Sequence, residues 1–348
     1  MPIKGEVPGL ERNIEAALQQ NYDDYQTLLV ADGSDDPAYE IARSVLPKYP
    51  LRNVRLLLSD AAGACSGKVA ALLTAVGKSE RDTEVFAFVD SDSFMPPGWL
   101  QELVDPLHDE SIGATTAFRW YFPAEGNFWS HVEAAWNASG TNLLFDDRFN
   151  FPWGGAMAIR AETLERVQIT QIWADAISDD MTLNLALRRH RYRIAFLPQC
   201  TVATFNHATL HSMTKWATRQ TALTRTFNRG LWNYALAAYG FFDLVFMLGL
   251  VSLILGLVSD QIWFVPSILL LSPEFLGMIR SHQRCKAFER AMPYFKEEFE
   301  RNRASQAMAS LIVPWVMTCC IIKSAVTHEI EWRGRTYKLT GMTPIAPS

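Results

Sequence analysis

The feature that most constrains the fold is an apolar run of 24 residues, Ala235–Val258, whose single charged side chain is Asp243. A helix of this length crosses a bilayer core of about 30 Å. Two further apolar runs, Ile262–Met278 and Ala307–Ile322, follow it, and both contain proline. Because three such runs cluster at one end of the chain, residues 233–326 are interpreted as a membrane region with two to three hydrophobic helices. Buried helices of a large soluble core are the alternative.

Basic segments flank these apolar runs. Residues 212–232 contain four basic residues and no acid, which predicts a basic amphipathic interfacial segment; a solvated helix face is the alternative. Residues 280–306 are expected to form a basic loop, which the positive-inside rule places in the cytoplasm. Two crossings before this loop place the N-terminal domain there as well. The basic tail, residues 327–348, is also expected in the cytoplasm. Because that location conflicts with three full crossings, the number of spans is left open.

Residues 1–211 alternate short apolar strands with helices, which predicts an α/β domain with a doubly wound sheet. The predicted strands are Thr27–Ala31, Val54–Leu58, Glu84–Val89, Ala114–Trp120, Ala156–Ile159 and Arg193–Leu197, and the predicted helices are Gly9–Gln20, Pro37–Leu46, Gly67–Val76, Trp99–Leu107, Asn127–Asn142 and Asp179–Arg189. The first five residues are expected to form a loop, as if a strand before them were missing.

Charge and cysteine content exclude other classes of protein. The net charge of −5 argues against a nucleic-acid binder that relies on overall basic charge. Five scattered cysteines without metal-ligand spacing argue against a disulfide framework or a zinc site.

Acidic turns that follow apolar strands carry the strongest chemical signal. Asp90 and Asp92 come directly after one predicted strand, and two carboxylates at this spacing suit Mg²⁺ or Mn²⁺ bridging a diphosphate. Asp32 ends another strand and is able to accept a hydrogen bond from a nucleotide base, although Asp-Gly is also an ordinary turn. Lys68 begins a helix after a partial phosphate loop that starts at Gly63.

A pair of carboxylates opens a later helix. Asp179 and Asp180 follow Ser178 at the predicted start of that helix. A carboxylate at this position can act as general base toward a hydroxyl acceptor. Helix capping alone is the alternative explanation for the same string.

Taken together, these strings resemble the glycosyltransferase family 2 type, and most closely its ceramide glucosyltransferase branch, glycosyltransferase family 21. The strings that carry the resemblance are Pro2-Ile-Lys-Gly5, Asn21-Tyr-Asp-Asp-Tyr25, Val30-Ala-Asp-Gly-Ser-Asp-Asp-Pro37, Gly67-Lys68, Val89-Asp-Ser-Asp92, Gly154-Gly-Ala-Met157, Ser178-Asp-Asp180 and Trp332-Arg-Gly334. The resemblance implies a GT-A nucleotide-diphospho-sugar transferase with a Rossmann-like mixed sheet, followed by C-terminal transmembrane or interfacial helices.

The resemblance also implies roles for individual residues. Asp32 would hold the uracil of a UDP-sugar, with Lys4 and Lys68 near the nucleotide. Asp90 would face the donor, and Asp92, together with Asp90, would ligate the metal. Asp180 would be the catalytic base of an inverting transfer to a lipid hydroxyl, and Asp179 its acidic neighbour.

The family's Gln-x-x-Arg-Trp motif is altered here to Ser212-Met-Thr-Lys-Trp216. Lys215 keeps the positive charge but not the planar fork of arginine, and Trp216 remains able to stack on an acceptor. The resemblance therefore predicts a multi-pass membrane enzyme with a cytoplasmic catalytic domain. A processive polysaccharide synthase and a non-catalytic membrane pseudoenzyme or scaffold are the alternatives.

Overall fold

The computed structural model describes residues 1–60 and 64–339. Its strands are β1 (Pro2–Ile3), β2 (Thr27–Ala31), β3 (Val54–Leu58), β4 (Val85–Val89), β5 (Ile112–Thr116), β6 (Arg119–Pro123), β7 (Ala156–Arg160), β8 (Arg193–Phe196), β9 (Val202–Asn206), β10 (Glu329–Trp332) and β11 (Arg335–Lys338). Its helices are α1 (Leu10–Leu18), α2 (Pro37–Val45), α3 (Gly67–Lys78), α4 (Trp99–Val104), α5 (Phe128–Ser139), α6 (Ala161–Arg166), α7 (Ile169–Trp173), α8 (Asp179–Arg189), α9 (Leu210–Phe227), α10 (Arg229–Val258), α11 (Phe264–Ala291), α12 (Lys296–Ala309) and α13 (Val313–Ala325).

The chain divides into two units. The sheet unit comprises Met1–Trp120, Thr141–Phe205 and the chain from His328 onward, and the helical unit comprises Tyr121–Gly140 and Asn206–Thr327. The sheet unit contains two main sheets, one in the order β1-β2-β3 and one in the order β4-β7-β5-β8. Helices α1 to α4 and α6 to α8 pack with them around apolar cores that include Leu29 and Ile159. The predicted mixed α/β fold, followed by long apolar helices, is confirmed.

Two strand predictions need correction, whereas the mixed sheet that the resemblance implies is present, since β7 runs antiparallel to β4 and β5. The first residues do not form a loop, because Pro2–Ile3 pair in parallel with β2. The single strand expected over 114–120 is two strands: the chain changes partner where the amide of Ala117 donates to Ala156 O, and β6 pairs with β9 instead.

The helical unit contains two helices that are long and apolar enough to cross a membrane, Arg229–Val258 and Gln261–Ala291. Large aliphatic side chains stand exposed along both of them, which is costly in water and normal in lipid. The third apolar run is broken, because Pro293–Ala309 and Val313–Ala325 meet at 67°. Pro314 lies in the first turn of α13, where a proline starts a helix rather than continues one.

One predicted membrane-flanking segment also differs from expectation. The stretch expected as a basic loop, 280–306, is largely helical because it falls in α11 and α12. Its mixed charges allow Arg303 of α12 to pair with Glu289 of α11 at 2.5 Å, so part of this polar sequence joins the two helices. In α9, Arg225 donates to Thr327 O at 2.5 Å, and it therefore satisfies a carbonyl just past the C-terminus of α13.

Candidate functional site

Asp32 is the first residue after β2, and two cations hold its carboxylate. Lys4 Nζ lies 2.7 Å from Asp32 Oδ2, and Arg335 Nη2 donates to both carboxylate oxygens at 2.9 Å. The same turn is fixed by Asp36, whose Oδ1 accepts hydrogen bonds from the amides of Gly5 and Ala38. The structure therefore brings Lys4 and Asp32 together.

Lys68 lies in the first turn of α3, and it joins two strings that are far apart in sequence. The helix starts at this point because the Ser66 hydroxyl accepts from the amide of Val69, as an N-cap does. Lys68 Nζ lies 2.9 Å from Asp90 Oδ1 and 3.1 Å from Asp179 Oδ2, and it donates to Gly154 O at 3.2 Å. Gly63, at the start of the partial phosphate loop, lies outside the described residues.

Two glycines make this approach possible. A Cβ on Gly154 would stand 2.0 Å from Asp179 Oδ2 and 2.9 Å from Lys68 Nζ. A Cβ on Gly155 would stand 2.7 Å from Asp90 Oδ2 and closer still to the Trp153 ring. The backbone at 154–155 therefore passes directly against the charged groups, which requires residues without side chains.

Asp92 forms a second ion pair in the same turn as Asp90. Arg119 Nη1 contacts both Asp92 oxygens at 2.9 and 3.0 Å, and Arg333 Nη2 lies 3.9 Å from Asp92 Oδ2. The Arg119 guanidinium also stands 5.0 Å over the ring of Trp153, so it is held from two sides.

Asp179 and Asp180 open α8 but have different surroundings. Asp179 is 2% exposed and faces Lys68. Asp180 Oδ1 accepts from the amide of Met181 at 2.7 Å and from the Ser178 hydroxyl, and Oδ2 accepts from the amide of Gly154 at 3.4 Å. Both carboxylates therefore reach the Gly154 region, one paired with a cation and the other with hydrogen-bond donors.

The electrostatics of the cluster separate its carboxylates. Burial raises the pKa of Asp179 to about 6, against the opposing effect of the Lys68 charge, while Asp180 and Asp90 add to the rise. Burial also favours the neutral form of Asp90, but Lys68, Arg119 and Arg333 outweigh it and hold the pKa of Asp90 below its usual range. For Lys68, burial works against the charge, yet the neighbouring carboxylates raise its pKa.

The donor set of Asp90 and Asp92 fits a hard divalent cation. Both carboxylates are partly exposed and keep acceptor capacity beyond their cationic partners, and Mg²⁺ typically takes one or two carboxylates plus substrate phosphates. The described residues include no group of three or more histidine, cysteine or acidic side chains arranged to hold a metal. Any ion here would therefore depend on the phosphates of a ligand for part of its coordination.

The two predicted acceptor residues lie in the helical unit, on α9. Trp216 packs edge-on against Trp136 at 4.7 Å and Tyr121 at 5.7 Å, and within the described chain its buried Nε1 has no hydrogen-bond partner. Ser212 forms a capping box with Thr209, so the serine that replaces the family's glutamine starts this helix. Lys215 lies between Ser212 and Trp216 on the same helix.

Sequence reasoning missed four residues that contact the site: Arg119, Arg333, Arg335 and Tyr337. Three of them belong to β10 and β11 or their turn; Trp332-Arg-Gly334 is part of the family resemblance, but the segment was interpreted as a basic tail with no role in the site. An Arg-Gly pair between alternating apolar residues was the available signal for a hairpin. Arg119 gave no such signal, because it contacts Asp92 only after the chain has folded.

Comparison with known proteins gives a consistent result. The sequence matches the family described as Glycosyl transferase family 21 over residues 1–343. A ceramide glucosyltransferase of Komagataella phaffii is 28% identical over 159 residues, which are 43% of this chain and 30% of that protein. The uncharacterized glycosyltransferase YibD of Escherichia coli is 29% identical over 120 residues, 34% of this chain and 33% of that protein.

These alignments span about a third of the length of the curated relatives. Among solved structures, the mannosyltransferase PcManGT from Pyrobaculum calidifontis, in complex with GDP-Man and Mn²⁺, superposes with a TM-score of 0.46 at 17% identity. That superposition covers 91% of this chain and 85% of the other.

Proposed function

Because the chain belongs to glycosyl transferase family 21, we propose that it is a membrane-bound inverting enzyme that moves a hexose from a UDP-sugar to a lipid hydroxyl. One observation carries the proposal: Lys68 Nζ lies within 3.1 Å of both Asp90 and Asp179. This contact joins the strand end expected to face a donor to the helix start expected to supply a base. The similarity to a ceramide glucosyltransferase supports glucose as the sugar and ceramide as the acceptor in this proposal.

The nucleotide is assigned to the end of β2 and the start of α3. Asp32 offers carboxylate oxygens to a base N–H, and Lys4 Nζ holds that carboxylate in place at 2.7 Å. Lys68 supplies positive charge near the phosphates, with Asp90 beside it. Asp90 and Asp92 would hold Mg²⁺ or Mn²⁺, which when bound supplies Lewis-acid stabilisation of the leaving diphosphate.

In the proposed transfer, Asp180 removes the proton of the acceptor hydroxyl while that oxygen forms its bond to the anomeric carbon. The bond from this carbon to the diphosphate breaks, and its electron pair leaves with the nucleoside diphosphate. Attack opposite the leaving group inverts the anomeric centre. Asp179 stays paired with Lys68, and it keeps the lysine oriented as the charge on the diphosphate develops.

The acceptor side is assigned to α9 and the apolar helices. The Trp216 side chain, which is partly exposed, is proposed to stack on the acceptor, and Lys215 supplies charge on the same helix turn. Residues 212–232 are proposed to lie at the membrane interface and residues 233–326 in the membrane. The catalytic part would comprise residues 1–211 together with the segment 327–348, in a multi-pass protein whose catalytic part faces the cytoplasm.

The test uses membranes that contain the full chain, supplied with labelled UDP-sugars, a lipid extract and Mg²⁺ or Mn²⁺. We expect a labelled glycolipid whose formation requires the divalent cation. A second set of membranes carries Asp175→Asn, which changes an exposed acid just before the site and should leave the product unchanged. A polymer in place of a glycolipid would favour a polysaccharide synthase, and no turnover of any donor would favour a scaffold.

A further inference from the structure

Strands β10 and β11 form a hairpin that returns to the sheet unit at the end of the described chain. Trp332 pairs with Arg335, so the turn consists of Arg333 and Gly334 alone. Their φ angles are 51° and 77°, which is the conformation that such tight hairpin turns require. Ile330 and Tyr337 are almost fully buried. The face of the hairpin that carries them is therefore packed against protein, and the turn lies outside this packed face.

The hairpin covers the two places where the nucleotide is proposed to bind. The Tyr337 hydroxyl accepts a hydrogen bond from the amide of Gly67 at 3.1 Å, at the start of α3. Arg335 donates to both oxygens of Asp32. Its guanidinium would lie 2.9 Å from a Cβ on Gly67, so it fills the space between the end of β2 and the start of α3.

Arg333 projects from the turn toward the proposed diphosphate position. It donates to Lys4 O at 3.4 Å and lies 3.9 Å from Asp92 Oδ2, while its side chain remains 42% exposed. A long contact to a carboxylate and a large exposed fraction leave most of its donors available to a ligand.

Charged groups of both signs surround this position. Five cations contact four carboxylates; the cations are Lys4, Lys68, Arg119, Arg333 and Arg335, and the carboxylates are Asp32, Asp90, Asp92 and Asp179. Cationic side chains next to backbone amides at a helix start suit an anionic ligand such as a diphosphate.

From these contacts we propose that the C-terminal hairpin completes the sugar-nucleotide site. Arg335 is a positioning residue that fixes the carboxylate of Asp32 for the base, and Arg333 is a binding residue for the diphosphate. This inference depends on the proposed function, because it concerns the donor of that same reaction. It places part of the donor site in a segment that follows the apolar helices in sequence.

The test uses the purified full chain in lipid nanodiscs, with UDP as the probe and isothermal titration as the readout. Arg333→Gln and Arg335→Gln should each bind UDP about tenfold more weakly, since each loses a charged hydrogen-bond donor. In steady-state transfer, both should raise the donor KM and leave the acceptor KM unchanged. Lys338→Gln is the matched control, because this exposed lysine on β11 lies 4.0 Å from Glu329 on the neighbouring strand and away from the proposed nucleotide contacts.

Thermal unfolding separates a binding role from a purely structural one. If the glutamine variants melt early yet keep the wild-type affinity for UDP and the wild-type donor KM, the proposal is overturned. Arg333→Lys and Arg335→Lys retain the charge and should recover part of the affinity, which also tests the idea should a glutamine variant not fold. Absence of UDP binding by the wild-type chain would instead contradict the proposed function itself.

Discussion

At the scale of single residues, adjacent carboxylates on α8 have different environments. Asp179 is paired with Lys68, whereas Asp180 accepts hydrogen bonds from the Met181 amide and the Ser178 hydroxyl. Of these two carboxylates, Asp180 is the one with no cation within ion-pair distance among the described residues. This is expected for a group that takes a proton from an acceptor.

Asp180→Asn tests this assignment. Removal of the general base should lower kcat by about 10²–10⁴-fold, while the affinity for UDP stays close to wild type because the nucleotide contacts lie elsewhere. Initial rates and UDP titration on the same preparation measure both quantities. Full activity of Asp180→Asn would contradict the assignment, and Asp175→Asn provides the control for a lost exposed acid.

The raised pKa of Asp179 predicts an acidic limit to activity. Because the pKa of this carboxyl is about 6 in the folded chain, Asp179 gains a proton as the pH falls through that value. Lys68 then loses one of its two carboxylate partners, and the transfer rate should fall with it. Rates measured from pH about 5 to about 8 should show this limb. Asp179→Asn should lack it at whatever activity remains, and a limb that persists in that variant would refute the explanation.

At the scale of elements, the strand ends and helix starts of the site were predictable because their signals are local. Asp32 and Asp90 follow apolar strands, and Ser66 and Ser178 cap the helices that carry Lys68 and Asp180. The contacts from Arg119, Arg333 and Arg335 were not predictable, because each joins segments that only folding brings together.

The turn at Gly154 is the element on which the cluster depends most. Gly154→Ala places a methyl group 2.0 Å from Asp179 Oδ2, so the carboxylate or the backbone must move. We expect a loss of about 1–3 kcal/mol in the free energy of unfolding, together with nearly complete loss of transfer. Thermal denaturation and initial rates measure the two effects.

Gly77→Ala is the matched control for this change. A Cβ at Gly77 meets nothing within 4 Å, and the residue lies in the last turn of α3. The alanine should therefore leave activity unchanged and stabilise the chain by up to about 1 kcal/mol. Equal losses in the two variants would contradict a specific role for the Gly154 turn.

At the scale of the whole molecule, the division between an α/β part and an apolar helical part was visible in the sequence because composition changes along the chain. The limits of the two units were not visible in the sequence. Residues 121–140 belong to the helical unit, and the segment from His328 belongs to the sheet unit. Both assignments follow from tertiary packing, which a reading along the chain does not reveal.

The exposed aliphatic surface of α10 leads to a prediction about membrane insertion. Leu248 lies near the middle of this helix and is 49% exposed, so lysine at this position disturbs no packed core but should cost about 2.5–3.5 kcal/mol on insertion into a bilayer. Leu51, in the sheet unit, is 97% exposed, and Leu51→Lys is the matched control.

After an alkaline carbonate wash, wild type and Leu51→Lys should stay in the membrane pellet, whereas Leu248→Lys should be partly released. If Leu248→Lys is retained as fully as wild type, or if wild type itself is released, α10 is not a membrane span. The exposed leucines of this helix would then have to be covered by protein.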